Sequence, residues 1–490
     1  MSVRGTRRRA FWTAALALLA SMLLAACSNE QGPAENELAI PPLIDTEHDR
    51  DVVLTLQNAT HNFYPSVASE TMGINGSYLG PTVRLHRGST PRITFVNQID
   101  EPTTIHGHGL HVRGAIDGGP QLSIDPNESW SIEIPVDQQA GTSWYHPHLM
   151  GKTAEHVYRG LAGLYIIEDQ NSRTLDLPDQ YGIDDLPLVV QDRRFEGGKL
   201  LPYQPNEQDM TDGYRGATLV VNGTVDPYKQ VPDGWVRLRL LNGSNARFYR
   251  FFFDGEEPFY KIATEGGFLD EPVLIEALTM APGERNELMV DLSGFETLTL
   301  NAELVSADPE DQLPFANNEV KRVLELRVDK KLAKSGSLPD ELNTITRFLD
   351  SDVAMANKRV FHLGMDDERF EAALRDDDYH NMFTVNDESM AMPRIDETVA
   401  IGELEHWTLT AEMMPHPFHV HGVSFLVLEH QGKEPAKEDR GWKDTVVISD
   451  KPTRVLMRFM HEATRETPYM YHCHILEHED GGMMGQFTVQ

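Results

Sequence analysis

The sequence predicts an all-β chain built as three β-sandwiches, and three observations carry that expectation. Its 490 residues exceed what one ordinary core holds and suit about three domains of ~150 residues. Short runs alternate polar and apolar residues, as in Arg92-Ile93-Thr94-Phe95-Val96, Trp130-Ser131-Ile132-Glu133-Ile134 and Val236-Arg237-Leu238-Arg239-Leu240, and Gly, Pro or Asn interrupts the pattern between them. The segment Ile93-Thr94-Phe95-Val96-Asn97 is also echoed by Leu238-Arg239-Leu240-Leu241-Asn242, with Glu405-His406-Trp407-Thr408-Leu409 as a third copy. One sandwich unit is therefore expected to repeat.

In chain order, residues 1–27 read as an export signal, because Arg4, Arg7, Arg8 and Arg9 precede an apolar run from Phe11 to Ala26. Leu24-Ala25-Ala26-Cys27 resembles a bacterial lipoprotein box. That resemblance implies acylation of Cys27, a periplasmic location at the cell envelope and, with Ser28 following, the outer membrane. Arg8-Arg9-Ala10-Phe11 loosely resembles a twin-arginine signal. Residues 28–45 suit a tether, since Gly32 to Pro42 bears Glu and Pro. The sandwiches are expected over 46–170, 171–335 and 336–490. Strand pattern gives way at Asp169-Gln170-Asn171 and again between Lys330 and Asn343. Arg369 to Asp378 reads as a short acidic helix or loop. No apolar span follows the signal, so contact with a membrane is expected only through lipid at Cys27.

Composition narrows the partners. With 40% hydrophobic and 24% charged residues the chain is of globular type. A formal net charge of −33 disfavours nucleic acid and anionic lipid and draws cations. The sequence carries no indication of oligomeric state. Of the two cysteines, Cys27 is expected to carry lipid, which leaves Cys473 without a disulfide partner in the chain.

The histidines supply the chemistry. Ten of the 20 fall into four clusters: His106-Gly107-His108, His146-Pro147-His148, His416-Pro417-Phe418-His419-Val420-His421, and His472-Cys473-His474 with His478. On a strand, residues i and i+2 share a face and i+1 takes the other. His472 and His474 therefore lie opposite Cys473, and His419 and His421 lie opposite His416. Two sites follow, one using Cys473 with His416 and one made of histidine alone. Two imidazoles, a thiolate and a weak axial thioether form the blue-copper pattern, and His478 and Met483 complete it within one loop. Structural zinc usually takes several thiolates, and this chain offers one.

The four clusters, in this order, resemble those of the multicopper oxidases. Trp144-Tyr145-His146-Pro147-His148 through Gly151-Lys152-Thr153, and His472-Cys473-His474-Ile475-Leu476-Glu477-His478, resemble the bacterial laccase and copper-efflux branch, from about Leu54 to the C-terminus. The resemblance implies three cupredoxin-like Greek-key domains, the middle one without copper ligands, and four Cu ions. It assigns His416, Cys473, His478 and Met483 to a type 1 copper and His106 and His419 to a type 2 copper. His108, His146 and His474 would hold one type 3 copper, and His148, His421 and His472 the other. Asp117 and Glu479 stand where the family places acids that serve proton transfer. Gly107 departs from the tryptophan usual there, which removes packing but no ligand.

The activity implied is one-electron oxidation of a reductant coupled to four-electron reduction of O₂ to water. Small phenols and aromatic amines lead as reductants, with Cu(I) as the alternative and a non-catalytic division or scaffold protein as the third reading. Twelve of the 19 methionines lie between Met355 and Met484, and thioethers favour Cu(I). Glu412 and Met414 just precede His416, and Met365 matches another substrate-copper methionine of copper-efflux oxidases. Phe370 stands where their further acid is expected, and their long methionine-rich insert is missing.

Overall fold

In the computed structural model of the chain, which describes residues 32–304, 319–376 and 378–490, the first two alternating runs become half-buried strands. In Arg92–Gln98 the side chains of Ile93 and Phe95 are buried while Arg92 and Gln98 are exposed, as a two-residue period requires. The export signal and Cys27 lie outside the described residues. Among the described residues no helix is long and apolar enough to cross a membrane.

Each third of the chain folds into a pair of sheets around its own core. The first pair has four and five strands, the second six and seven, the third six and five. Their cores centre on residues such as Leu54, Phe95 and Tyr165, Leu188, Leu240 and Phe251, and Trp407, Phe418 and Phe487. The architecture is all-β, as expected. Asp367–Asp376 forms the short acidic helix anticipated near 369–378.

The sequence echo marks one structural position in three copies. Arg92–Gln98 pairs parallel with Asp51–Tyr64 and antiparallel with Ser129–Glu133. Trp235–Asn242 pairs parallel with Asp185–Arg193 and antiparallel with Arg285–Asp291. Leu404–Ala411 repeats this with Asn357–Met365 and Thr453–Arg458. Asn97 and Asn242 close the first two copies alike: each accepts the N–H two residues on and donates to two backbone carbonyls. These bonds satisfy backbone groups that burial would otherwise strand.

Two features depart from the expectations. The stretch assigned to a tether, 28–45, becomes strand in two places: Asn36–Glu37 edges the six-stranded sheet of the second sandwich, and Leu43–Asp45 pairs with Thr82–His86 in the first. From residue 36 onward that stretch is stitched into the fold. The polar side of Val236–Leu240 is also buried rather than solvated. Arg239 binds Asp185 at 2.7 Å and Glu287 at 3.0 Å, and Arg237 binds Glu287 at 2.5 Å. Thr142 of the first sandwich donates to Glu287 at 2.7 Å. This ionic layer joins the first two sandwiches.

Candidate metal centre

The four histidine clusters, up to 372 positions apart in sequence, meet where the first and third sandwiches face each other. His106–His108 pairs antiparallel with Gly141–His146, which places His106 opposite His146. His416–Val420 pairs with Tyr469–Cys473, which places His419 opposite His472 and Phe418 opposite Cys473. Pro417 does not break its strand, and its carbonyl accepts the His474 N–H at 2.6 Å. Parity sorts the side chains as the sequence predicts. Cys473 turns into the core of the third sandwich, and His472 and His474 turn towards the histidines of the first.

The cysteine-bearing compartment joins His416, Cys473 and His478. The two Nδ1 atoms are 3.2 Å apart, and they lie 3.4 and 3.7 Å from Cys473 Sγ. A trigonal metal with arms of ~2.1 Å would set its ligands ~3.6 Å apart. His416 donates Nε2–H to the Glu412 carbonyl at 3.2 Å, and His478 donates Nε2–H to the Thr211 carbonyl at 2.9 Å. Each ring thus spends its one neutral-state proton outward and turns an Nδ1 lone pair inward. Burial reinforces this by lowering the His416 pKa to about 4 and that of His478 well below its ordinary value. The single thiol proton of Cys473 can satisfy one Nδ1 lone pair but not both, and the two lone pairs, 3.2 Å apart, repel unless a cation lies between them. Met483 is buried in the same core, and its backbone bonds to both Cys473 and His478.

The second compartment holds the other eight rings, all buried. His108, His146 and His474 form one triangle, His148, His421 and His472 another, and His106 approaches His419 and His108. His472 Nε2 lies 3.2 Å from the Nε2 atoms of both His148 and His421. Outer partners again take the opposite nitrogens. Asp117 accepts from His421 Nδ1 at 2.7 Å through its carboxylate and from His106 Nδ1 at 2.8 Å through its carbonyl. Glu479 sets its two oxygens 3.3 Å from His148 Nδ1 and His472 Nδ1, and burial pushes its carboxyl well above the ordinary range. The inward nitrogens of His106, His419 and His474 have no hydrogen-bond partner among the described residues. Buried polar atoms of this kind are rare without a ligand. Burial also holds His146, His148, His421 and His472 well below their usual pKa, which keeps them neutral donors. The donor set therefore fits copper in both compartments.

Sequence reasoning missed Asp444 and Arg285. Asp444 accepts from His108 Nε2 at 3.1 Å through its carboxylate and from His419 Nδ1 at 2.8 Å through its carbonyl. Arg285, from the middle sandwich, grips that carboxylate with two bonds of 2.8 and 2.5 Å. The signal available was a count of acceptors: an inward-facing ring needs an outward one, and Asp117 serves only His106 and His421. Gly107 has its own explanation, because a Cβ there would lie 2.7 Å from Leu110 Cδ1. Leu110 fills the space that a larger residue would take. Of the substrate-copper candidates, Glu412 accepts the Met365 N–H at 3.2 Å, which brings those two together beside His416. Met414 is 8% exposed and packs in the third core, whereas Met413 is 59% exposed.

Comparisons with known proteins agree with this geometry. Two family models described as multicopper oxidase match residues 55–172 and 361–490, which enclose the four clusters. A cell division protein FtsP of Xenorhabdus nematophila is 36% identical, over 99% of this chain and 98% of its own length. The multicopper oxidase mco of Staphylococcus aureus is also 36% identical, with 93% of each chain covered. Among solved structures, the laccase-like multicopper oxidase CueO of Ochrobactrum sp. is similar at TM-score 0.84 and 38% identity, over 92% of this chain and all of that one. McoA of Aquifex aeolicus follows at TM-score 0.81 and 30% identity, over 93% and 100%. With two matching family models, relatives of this identity along nearly its whole length and three cupredoxin-like sandwiches, the chain belongs to the multicopper oxidases.

Proposed function

We propose that this protein is an active, laccase-like oxidase, with small phenols and aromatic amines as reductants and O₂ as the acceptor. The observation that carries the reading is the inward-facing donor set: His416, His478 and Cys473 in one compartment, eight buried histidines in the other. Four bound copper ions, one of type 1, one of type 2 and a type 3 pair, would supply one-electron oxidation in the first compartment and four-electron reduction of O₂ in the second. His416, Cys473, His478 and Met483 are assigned to type 1, and His106 and His419 to type 2. His108, His146 and His474 take one type 3 ion, and His148, His421 and His472 the other. Cys473 lies between His472 and His474 in the chain, so the compartments are joined by a few covalent bonds. Asp117 holds ring N–H groups of the second compartment, Glu479 lies 3.3 Å from two of its rings, and both acids are assigned to proton movement there. The described Ochrobactrum relative has oxidase activity towards lignin model compounds, which supports the aromatic class.

A second reading, a cuprous oxidase, is favoured by one contact. Glu412 touches Met365 through its side chain and His416 through its carbonyl, so a soft cation held there would sit beside the electron entry. Relatives named as cell division proteins support a third, structural role, against which stands the complete donor set. Residues 1–27 are proposed as the export signal, Cys27 as the lipid anchor at the envelope, and 46–170, 171–335 and 336–490 as the three domains. Palmitate-analogue labelling that is lost in Cys27→Ala tests the anchor. Oxygen uptake by the copper-loaded protein with a dimethoxyphenol and with Cu(I) tests the substrate. Phenol oxidation unaffected by Met365→Ala with Met414→Ala is expected. A raised KM for Cu(I) in that variant would support the second reading, and uptake with neither substrate would leave the structural role.

A further inference from the structure

We infer that the open cavity beside His111 is a binding site for a small aromatic carboxylate, separate from the electron entry. The cavity measures about 570 Å³ and draws its walls from all three sandwiches, and ligand sites commonly span ~300–1,000 Å³.

Its polar floor is already satisfied. His111 Nε2 bonds Ser424 Oγ at 2.9 Å, the His111 N–H bonds Gln138 at 2.7 Å, and Gln138 donates onward to the Gly109 carbonyl at 2.8 Å. His461 faces Asp137 at 3.4 Å. Arg87 and Arg458 remain, two exposed guanidinium groups that line the cavity. Neither has a carboxylate partner among the described residues. In a chain with 76 acids against 43 bases, two arginines at a cavity whose one lining acid, Asp137, faces His461 are unusual, and their planar fork suits a carboxylate. The aromatic part of the ligand follows from the wall. Phe348 and Trp442 meet edge to face with centroids 6.2 Å apart, and the Arg458 guanidinium carbon lies 6.0 Å from the Phe348 centroid. A flat ring against these two side chains would place its carboxylate near Arg458.

Location separates this cavity from the electron donor. Its lining residues Gly422 to Ser424 follow His421, whereas His416 lies at the other end of His416–Val420, ~13 Å of strand away. A ligand here should therefore bind without competing with a phenol reductant.

The test is calorimetric titration of the copper-loaded full chain with benzoate, which is not a phenol, alongside Arg87→Ala, Arg458→Ala and the double variant. One benzoate per chain is expected, with affinity lowered about tenfold or more in the double variant, an unchanged blue absorption, and no rise in the KM for dimethoxyphenol at saturating benzoate. Benzyl alcohol, acetate and sulfate should bind at least about tenfold more weakly. Benzoate affinity unchanged in the double variant, or absent in the wild type, would overturn the site. Equal binding of sulfate or acetate would overturn the aromatic class, and competition with the phenol would overturn its separation from the electron entry.

Discussion

Replacing Asp444 by Asn should weaken copper binding in the histidine-only compartment while sparing the cysteine-bearing one. The Asp444 carboxylate is buried, and its two oxygens receive both Arg285 bonds and the His108 Nε2–H. An amide keeps the shape but sets an N–H₂ group against at least one of those donors and leaves Arg285 as an uncompensated buried charge. Breaking a buried pair in this way costs about 3–5 kcal/mol. Loss of an outer partner of a metal-binding histidine typically lowers metal affinity about 10–100-fold. The His419 bond uses the Asp444 carbonyl and survives, so the effect should centre on the triangle of His108, His146 and His474. None of His416, Cys473 or His478 touches Asp444, and the blue absorption should remain. Copper content by chelator competition, together with thermal unfolding, reads both effects. A variant with wild-type copper affinity in that compartment and an unchanged unfolding midpoint would refute the assignment of Asp444 and Arg285 as positioning residues.

Three further outcomes are expected. Cys473→Ser should abolish the blue absorption and substrate oxidation while the histidine-only compartment stays loaded, as metal analysis with electron paramagnetic resonance would read. Asp117→Asn should slow oxygen reduction more than reduction of the blue site, since Asp117 contacts His421 and His106 and none of the electron-entry ligands; stopped-flow spectroscopy separates the steps, and equal slowing would count against a proton role. Burial works to raise the Glu287 carboxyl, but Arg237 and Arg239 outweigh it and lower its pKa to about 2. A lowered folded-state value contributes stability above the unfolded-state pKa near ~4.3 and loses it as pH falls towards 2. Glu287→Gln should therefore destabilise the protein at neutral pH and flatten its stability loss over that acid range, as thermal melts against pH would show.

The legible part of this protein was the part written in short spacings. The pairs two residues apart in His106-Gly107-His108 and His472-Cys473-His474 carry their facing with them, because a strand alternates whatever surrounds it. The echo of Ile93–Asn97 in Leu238–Asn242 was legible for the same reason, since both segments end in an asparagine with the same closing task. What escaped depended on tertiary pairing. Asp444 meets His108 across 336 positions and Arg285 across 159, and no local pattern links them. Arg237 and Arg239 occupy polar positions of an alternating strand, yet a second sandwich covers that face, so polarity marked an ionic interface and not solvent. Met414 and Met413 are adjacent and chemically alike. Only the positive φ of Met413, 67°, and the packing of its neighbour decide which sulfur faces out.

The central claim is that the inward-facing histidines and Cys473 hold copper and reduce O₂. Loading the protein with copper, counting the metal and following oxygen uptake with a dimethoxyphenol in the presence and absence of catalase tests it in one measurement. Four copper ions per chain, an intense blue absorption and oxygen uptake unaffected by catalase, as complete reduction to water requires, are the predicted results. A loaded protein without blue absorption, or one that consumes no oxygen with either the phenol or Cu(I), would contradict it.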